Sequence, residues 1–464
     1  MSNWLPDLAA HSGPKYRAIV DAIAADMRAG RLPPGTRLPT HRDLAWRLKV
    51  TVGTVARAYA EGERQGLLSG EVGRGTFVKD PGKSEPALAQ YLSSVAWAPR
   101  QDVINMAVNR PGGDQGAWAV GPVLERLARR SDLPQLLSYN LEPVAARQRE
   151  AGARWLRAEQ AETSPERVSV TAGSQQAIVA ALATLTLPGD SVAVEEYTYP
   201  GIKSAASLLS RPLVPVACDQ YGLIPDEVER AFARGVKVLY TIATVQNPRT
   251  STLDEQRRCA IARAARKYGS YVIEDGVHRF LNPNAPPPIQ VHAPGNCIYL
   301  TTLSKSVSPG LRASFATVPE ALKSRFDAAI GALSLAQPIP LIEIACILID
   351  EGQAFEAAER QRKEAAARIA LAVDILGERV RPGSTAFNIW LPLEGGWRAS
   401  SFIAEAARQG VSLPPTESFA VGRPSHDGVR VSVTAPPDRA TLVRGLKTLA
   451  GLLAVAPDQL GVTV

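Results

Sequence analysis

Cysteine is scarce in this chain: Cys218, Cys259, Cys297 and Cys346 are the only four in 464 residues, widely spaced and without a CxxC pair. That pattern excludes a disulfide scaffold and predicts free buried thiols in a reducing compartment, with no metal site. Long hydrophobic runs are also lacking. The longest candidate, AIVAALATLTL at 177–187, is far short of a membrane span and is interrupted by threonines. The opening MSNWLPDLAAHSGPKYR has no apolar stretch of the secretory type. A cytoplasmic protein with no membrane partner is therefore expected. There is no internal repeat, and NPNAPPPIQ (282–290) is the one low-complexity tract.

The length is too great for one ordinary core and predicts two or three domains. The formal charge of +7 is unevenly distributed: residues 1–80 hold twelve Lys/Arg against eight Asp/Glu, a net of +4, which leaves +3 for the remaining 384. A concentration of positive charge in the first sixth of the chain suits an anion-binding module.

Within that sixth, PKYRAIVDAIAADMRAGRLPPG places Tyr16, Ile19, Val20, Ile23 and Met27 on one helical face, closed by Gly30 and a Pro-Pro-Gly turn. A second helix follows in TRLPTHRDLAWRLKV, with Thr40 as its cap, Asp43 at the positive end of its dipole, and Leu44 and Leu48 facing inward. The third, TVGTVARAYAEGERQGLL, places Val52, Val55, Ala56 and Tyr59 on its inner face. EVGRGTFV then reads as a hairpin turning at Gly73-Arg74-Gly75. Helix, helix-turn-helix and hairpin make a winged helix-turn-helix. Thr51, Gly53 and Thr54 are small enough to let the third helix sit deep in a major groove. Arg42 and Arg57 are candidates for phosphate or base-edge contacts, and Arg74 on the wing for the adjacent groove. The other reading of each arginine is an ordinary solvated charge. Through LPTHRDLA, VTVGTVARAY and the Gly-x-Gly-Thr-Phe-Val wing, taken in that order, the segment resembles the DNA-binding domain of GntR-type bacterial regulators.

Residues 80–103 are rich in Pro, Ser and Ala without a sustained period, which predicts a linker between a domain at 1–79 and one at 104–464. Beyond it strands and helices alternate: RVSVTA, GSQQAIVAALATLTL and SVAVEE form one βαβ unit, and KVLYTIAT, a helix at about 254–268 and SYVIEDG form another. CIYLTTLS is a further buried strand. An α/β fold with a mostly parallel sheet covered on both faces is expected, followed by a smaller α+β subdomain containing FNIWLPL and VRVSVTAP.

Ligands of such folds gather at the carboxyl ends of the strands. Read in order, those ends carry Gly173-Ser174-Gln175, the run from Glu196 to Pro200, Gln246-Asn247-Pro248, the run from Asp275 to His278, and Ser304-Lys305. Ser174 and its neighbouring N–H groups at a helix start suit a phosphate, and Arg312 suits phosphate oxygens. Asp275 closes an apolar strand and needs a cationic partner, such as a protonated ring nitrogen. Lys305 closes another, where an imine with an aldehyde relieves its desolvation. Together these are the three handles of pyridoxal 5′-phosphate. Structural roles remain open for each: an Asp275–Lys305 ion pair, a Ser174 helix cap, a Tyr199 in the core.

Residues 104–455 resemble fold-type I aminotransferases, nearest to the aminoadipate/kynurenine branch. The resemblance implies that Lys305 is the imine-forming lysine, Asp275 the partner of the pyridine nitrogen, Asn247 of QNPRT the donor to the phenolic oxygen, and Tyr199 of YTYPG the stacking aromatic. It also implies a phosphate cradle of Ser174, Gln175, Thr302, Ser304 and Arg312, and a carboxylate-gripping Arg430 in GVRVSVTAP. Two departures stand out. The tyrosine normally found after the aspartate is replaced in DGVH by His278, or by Val277 if the spacing is one shorter, and the loop after Asn-Pro reads Arg-Thr-Ser. His278 can still donate a hydrogen bond there, with changed electronics and pH response of the cofactor. A GntR-like head before an aminotransferase-like domain resembles the MocR-type transcriptional regulators. This implies a head-to-tail homodimer on double-stranded DNA with two half-sites, and an amino-compound effector. An active aminotransferase with an accessory head, and a cofactor-free dimer scaffold, are the other readings.

Overall fold

The computed structural model describes residues 4–6, 8, 14–64, 67–71, 75–78, 103–114, 116–139, 142–380, 385–422, 428–455 and 457. Its internal contacts separate two compact units, Met1–Pro86 and Ala87–Val464. The expected linker falls outside the described residues except for its last position.

In the first unit three helices, Lys15–Arg28, His41–Leu48 and Val52–Arg64, precede a hairpin of β1 (Leu68–Glu71) and β2 (Gly75–Val78). Ile19, Val20 and Ile23 are fully buried against Leu44, Val55, Ala58, Tyr59, Leu68 and Val78. Each large aliphatic side chain removed from water contributes about 1.5–3 kcal/mol. The Thr40 hydroxyl caps the second helix by accepting from the Asp43 N–H at 3.2 Å. Lys49 ends that helix in a left-handed turn (φ 51°), and Thr51 opens the third by accepting from the Thr54 N–H at 3.2 Å. The inner face of the third helix differs from the expected one: Ala58 is buried, whereas Val52 is 47% exposed. Side chains in a helix tilt toward its N-terminus, so one in the first turn leans past the end of the packed face. The hairpin pairs antiparallel from Leu68↔Val78 to Glu71↔Gly75. Arg74 lies outside the described residues.

The second unit opens with β3 (Ile104–Asn105) and is built on a seven-stranded sheet. Its strands are β4 (Val168–Thr171), β5 (Val192–Glu195), β6 (Leu213–Val216), β9 (Val238–Thr241), β10 (Tyr271–Asp275), β11 (Cys297–Thr302) and β12 (Ser314–Thr317), in the order β4-β12-β11-β10-β9-β5-β6. A two-residue ribbon, β7 (Cys218–Asp219) with β8 (Gly222–Leu223), stands beside it. All neighbours pair in parallel except those of β12. Every residue of β5, β9 and β11 is buried, which explains their unbroken apolar runs. Val194, Tyr240, Ile273 and Ile298 pack beneath the helices Ser174–Leu185 and Glu320–Leu333. Ala193, Leu239, Val272 and Cys297 pack beneath Pro225–Ala233 and Glu255–Tyr268. The antiparallel β12 was not expected, since Ser-Phe-Ala-Thr after a Pro-Gly turn carries little strand signal of its own.

The smaller subdomain pairs β13 (Asn388–Pro392) with β15 (Gly428–Ser432) antiparallel, and β14 (Val411–Ser412) with β3 in parallel. The helices Gln353–Leu376, Ala399–Arg408 and Arg439–Leu453 close its core. Among the described residues no helix is long and apolar enough to cross a membrane.

Candidate functional site

Lys305 lies in a one-turn helix, Leu303–Ser306, immediately after β11. The Thr302 hydroxyl starts this turn: it accepts from the Ser304 N–H at 3.2 Å and donates to the Ala313 carbonyl at 2.9 Å. Thr302 thus shapes the turn, and the half-buried Lys305 amine is directed to the Asn109 carbonyl. Burial, with Arg430 and Arg312 nearby, pushes this amine down to about 8, against the pull of Asp275. No ion pair joins Lys305 to Asp275 among the described residues.

Asp275, the last residue of β10, accepts from the Tyr240 hydroxyl at 2.8 Å and from the Val277 N–H at 3.1 Å. Burial raises its carboxyl to about 6, with both donors and Lys305 pulling the other way. Asn247 precedes a cis Asn247–Pro248 bond, and its Oδ1 accepts from Arg430 Nη1 at 3.1 Å. A second nitrogen of Arg430 donates to the Ala107 carbonyl, and its guanidinium carbon stands 4.6 Å from the centre of the Phe419 ring.

His278 is turned toward a backbone carbonyl. Its Nδ1 stands 3.0 Å from the Val245 carbonyl, which can only accept, so Nδ1 carries the ring proton. Burial and the Lys305 charge lower the imidazole to about 3. A neutral ring with its one proton on Nδ1 leaves Nε2 as an acceptor, so it cannot replace a tyrosine as donor.

At the end of β4, Gly173 caps the helix Ser174–Leu185 and the Ser174 hydroxyl does not, which removes the helix-cap reading. Gly173 has φ +96°, and a Cβ there would lie 2.2 Å from Arg312 Nη2. The glycine therefore admits the exposed Arg312 guanidinium, which donates to the Ala172 carbonyl at 3.0 Å. Gln175 Nε2 donates to the Gly201 carbonyl at 2.9 Å, while its Oε1 is buried without a hydrogen bond. Tyr199, half-buried, precedes the helix Pro200–Leu208; a Cβ on Gly201 would lie 2.1 Å from its ring and 2.2 Å from Gln175 Oε1. Ser304 is buried, with its hydroxyl 3.1 Å from that of Thr302, whose one proton goes to the Ala313 carbonyl.

These residues fit pyridoxal 5′-phosphate. A helix start, an adjacent guanidinium and the glycine that admits it match a phosphate. Asp275 matches a protonated ring nitrogen, and Lys305 an aldehyde. Three cations (Lys305, Arg312, Arg430) against one carboxyl leave the site positive, as a phosphate and a carboxylate together require. Behind the Asn247 loop, a cavity of about 580 Å³ is lined by Tyr221, Arg249, Arg379, Asn388 and Trp390, among others.

In the first unit, Arg42 is exposed at the start of the second helix, and Thr51 is exposed at the mouth of the third. The Thr51 and Thr54 hydroxyls stand 2.8 Å apart. Arg57 is exposed, with its guanidinium carbon 4.2 Å above the Tyr16 ring. The four residues belong to the helix-turn-helix; Arg74 is not described.

Sequence reasoning missed Tyr240, Asn109 and Asn388. Tyr240 carried a signal, since a hydroxyl inside the apolar run KVLYTIAT needs a buried partner. Asn109 acts through its backbone carbonyl, and Asn388 donates to the Pro248 carbonyl at 2.7 Å while accepting from Asn109 Nδ2 at 2.7 Å. Neither role has a sequence signature.

Both units match known protein families. Residues 101–449 match aminotransferase class I and II, and residues 15–78 match the bacterial regulatory proteins of the gntR family. The chain is 32% identical over 462 residues to the uncharacterized HTH-type transcriptional regulator YdeF of Bacillus subtilis, covering 97% of each. It is 27% identical to the vitamin B6 salvage pathway transcriptional repressor PtsJ of Salmonella typhimurium, over 91% of this chain and 95% of that protein. The kynurenine aminotransferase of Pyrococcus horikoshii superposes with a TM-score of 0.69 at 24% identity, over 79% of this chain and 94% of that one. An archaeal alanine:glyoxylate aminotransferase gives 0.71 at 22%, over 85% and 99%. With a gntR-family head and a class I and II aminotransferase domain in one chain, this protein belongs to the MocR-type DNA-binding transcriptional regulators.

Proposed function

We propose that this regulator senses an amino compound at a pyridoxal phosphate site in residues 104–464 and passes the signal through residues 80–103 to a DNA-reading head at 1–79. One observation carries the proposal. The two cations on which cofactor and effector would act both donate to carbonyls of a single segment: Lys305 to Asn109 and Arg430 to Ala107. That segment directly follows the linker, and it is held further by Ser432, whose hydroxyl donates to the Val108 carbonyl at 2.8 Å.

When bound, the cofactor supplies an aldehyde for which Lys305 and an effector amine compete. Arg312, with Ser174, Gln175 and Ser304, holds the phosphate; Asp275 keeps a ring proton in place, and Tyr240 orients Asp275. Arg430 receives the effector's carboxylate, which competes with the Ala107 carbonyl for the same guanidinium. Either exchange removes a hydrogen bond from the segment 107–109, so occupied and empty sites differ in how firmly they hold the linker's exit. A ligand shifts a two-state equilibrium only through such differential contacts. A homodimer presents two heads to two half-sites, and the spacing they favour is the quantity the effector changes. The aminotransferase reading gains nothing from His278, which has no proton to donate toward a phenolic oxygen.

A spectral titration tests the site directly. Protein loaded with pyridoxal phosphate and titrated with amino acids is expected to change its visible absorption with saturation. In Arg430→Leu the required concentration rises by about tenfold or more, because a charge-assisted contact of roughly 1.5–3 kcal/mol is lost. Equal concentrations for the variant and the parent would remove Arg430 from the carboxylate role.

A further inference from the structure

The spacing of cysteine and histidine in the sequence argued against a metal site, but the fold brings three donors of different chemistry together. Glu255 and Cys259 stand one turn apart on the helix Glu255–Tyr268, and His292 ends the short helix Ile289–His292. Cys259 Sγ lies 3.9 Å from Glu255 Oε1 and 3.7 Å from His292 Nδ1. Glu255 Oε1 lies 2.9 Å from His292 Nε2. One ligand atom from each residue can be chosen so that all lie within 4.8 Å of one another.

A tetrahedral Zn²⁺ with bonds of about 2.0–2.3 Å holds its donors roughly 3.3–3.7 Å apart; with His292 ligating through Nε2, the Glu255 oxygen moves out from 2.9 Å and the Cys259 sulfur in from 3.9 Å of that oxygen. Two details favour a cation over a hydrogen-bonded relay. His292 Nε2 is buried and makes no hydrogen bond, although a carboxylate oxygen stands 2.9 Å away; the oxygen lies off the N–H axis. In a nucleophile–imidazole–acid relay the sulfur and the acid sit at opposite ends of the ring. Here the sulfur stands against Nδ1 and the carboxylate against Nε2, yet the two are only 3.9 Å apart, too close for both to lie on the diverging axes of the ring nitrogens.

We infer that Glu255, Cys259 and His292 form a Zn²⁺ site. Thiolate, imidazole and carboxylate suit a borderline-soft divalent ion and not Mg²⁺ or Ca²⁺, which take oxygen. Cys259 is only partly buried, unlike Cys297 and Cys346, so its sulfur is available as a ligand. Arg266 donates to the His292 carbonyl and fixes the backbone that carries the imidazole. Three protein ligands with an exposed Glu255 leave a fourth position for water. Bound metal would pin the helix Glu255–Tyr268 to the segment 289–292. The same helix reaches the strand carrying Asp275 through buried Arg258, 3.3 Å from Glu274.

The test is calorimetric titration of the full-length, reduced protein with ZnCl₂, repeated on Cys259→Ser and His292→Ala. One Zn²⁺ per chain is expected. Affinity in each variant should fall by more than the roughly tenfold that loss of an outer-shell partner costs. Co²⁺ in place of Zn²⁺ should give a thiolate-to-cobalt absorption band that is missing in Cys259→Ser. Equal Zn²⁺ uptake by the parent and both variants, or a Co²⁺ spectrum without thiolate character, would overturn the assignment. Neither readout involves cofactor or DNA, so failure here leaves the sensing function untouched.

Discussion

Lys305 donates its amine to the backbone carbonyl of Asn109, so the group that would meet a cofactor aldehyde is tied to the segment following the linker. Only the neutral amine attacks an aldehyde. With the amine lowered to about 8, its neutral fraction rises about fivefold from pH 7 to pH 8 and flattens above about pH 9. An ordinary lysine would keep rising tenfold per pH unit to about pH 10. The rate of pyridoxal phosphate capture, followed by absorbance across pH 6.5–10, is expected to show the early plateau. A rise continuing to pH 10 would mean that burial and the neighbouring arginines do not depress the amine.

Gly173→Ala tests the phosphate cradle. The added methyl meets the Arg312 guanidinium at a backbone conformation that L-residues avoid, a strain of about 1–3 kcal/mol. Pyridoxal phosphate affinity is expected to fall by about tenfold or more, a loss of 1.4 kcal/mol per decade. Retained affinity would show that the cradle lies elsewhere.

Tyr240→Phe removes a hydrogen bond to a buried carboxylate, for which about 1.5–3 kcal/mol is typical. The pH dependence follows from the raised carboxyl of Asp275. In the folded state it keeps its proton up to about pH 6, so it contributes stability below about pH 4 that is lost as pH rises through 6. Without the tyrosine the carboxyl titrates still higher. Chemical denaturation should therefore find the variant's deficit larger at pH 8 than at pH 5. A deficit equal at both would mean that Tyr240 does not act through the charge.

Much of this was legible in the sequence, and the reasons are physical. Buried parallel strands such as VAVE and CIYLTT must be apolar throughout, so their ends, and with them Asp275 and Lys305, could be located from pattern alone. The cap at Thr40 was visible for the same kind of reason, because an orphan helix N–H needs an acceptor. Val52 was misplaced because helical period says nothing of where a packed face stops. His278 could be found but its proton could not, since that depends on the Val245 carbonyl 33 residues away. The carbonyls of Ala107 and Asn109 were invisible, because every residue has one. Cys259 and His292 were separated by the same number of residues, and only the packing of two helices brings them together.

In the head, Arg42→Ala and Arg57→Ala are each expected to weaken DNA binding and to lower the slope of log affinity against log salt by about 1, if each meets a phosphate. Thr51→Ala removes the hydroxyl that caps the third helix and should cost about 1 kcal/mol of stability in this unit. Salt slopes unchanged in both arginine variants would move the interface to another face of the helices.

The central claim is that occupancy at Lys305 is read out at the DNA. Its most direct test is the affinity of the full-length protein for a DNA fragment it has selected from random sequence, measured by fluorescence anisotropy with pyridoxal phosphate and a series of amino compounds. Parent protein and Lys305→Ala are compared, with thermal melting to show that the variant is folded. Coupling between two sites is commonly about 1–3 kcal/mol, or roughly 5- to 150-fold in affinity. The account predicts a change in that range for the parent with at least one amino compound, and none in Lys305→Ala. An equal response in both proteins would contradict it.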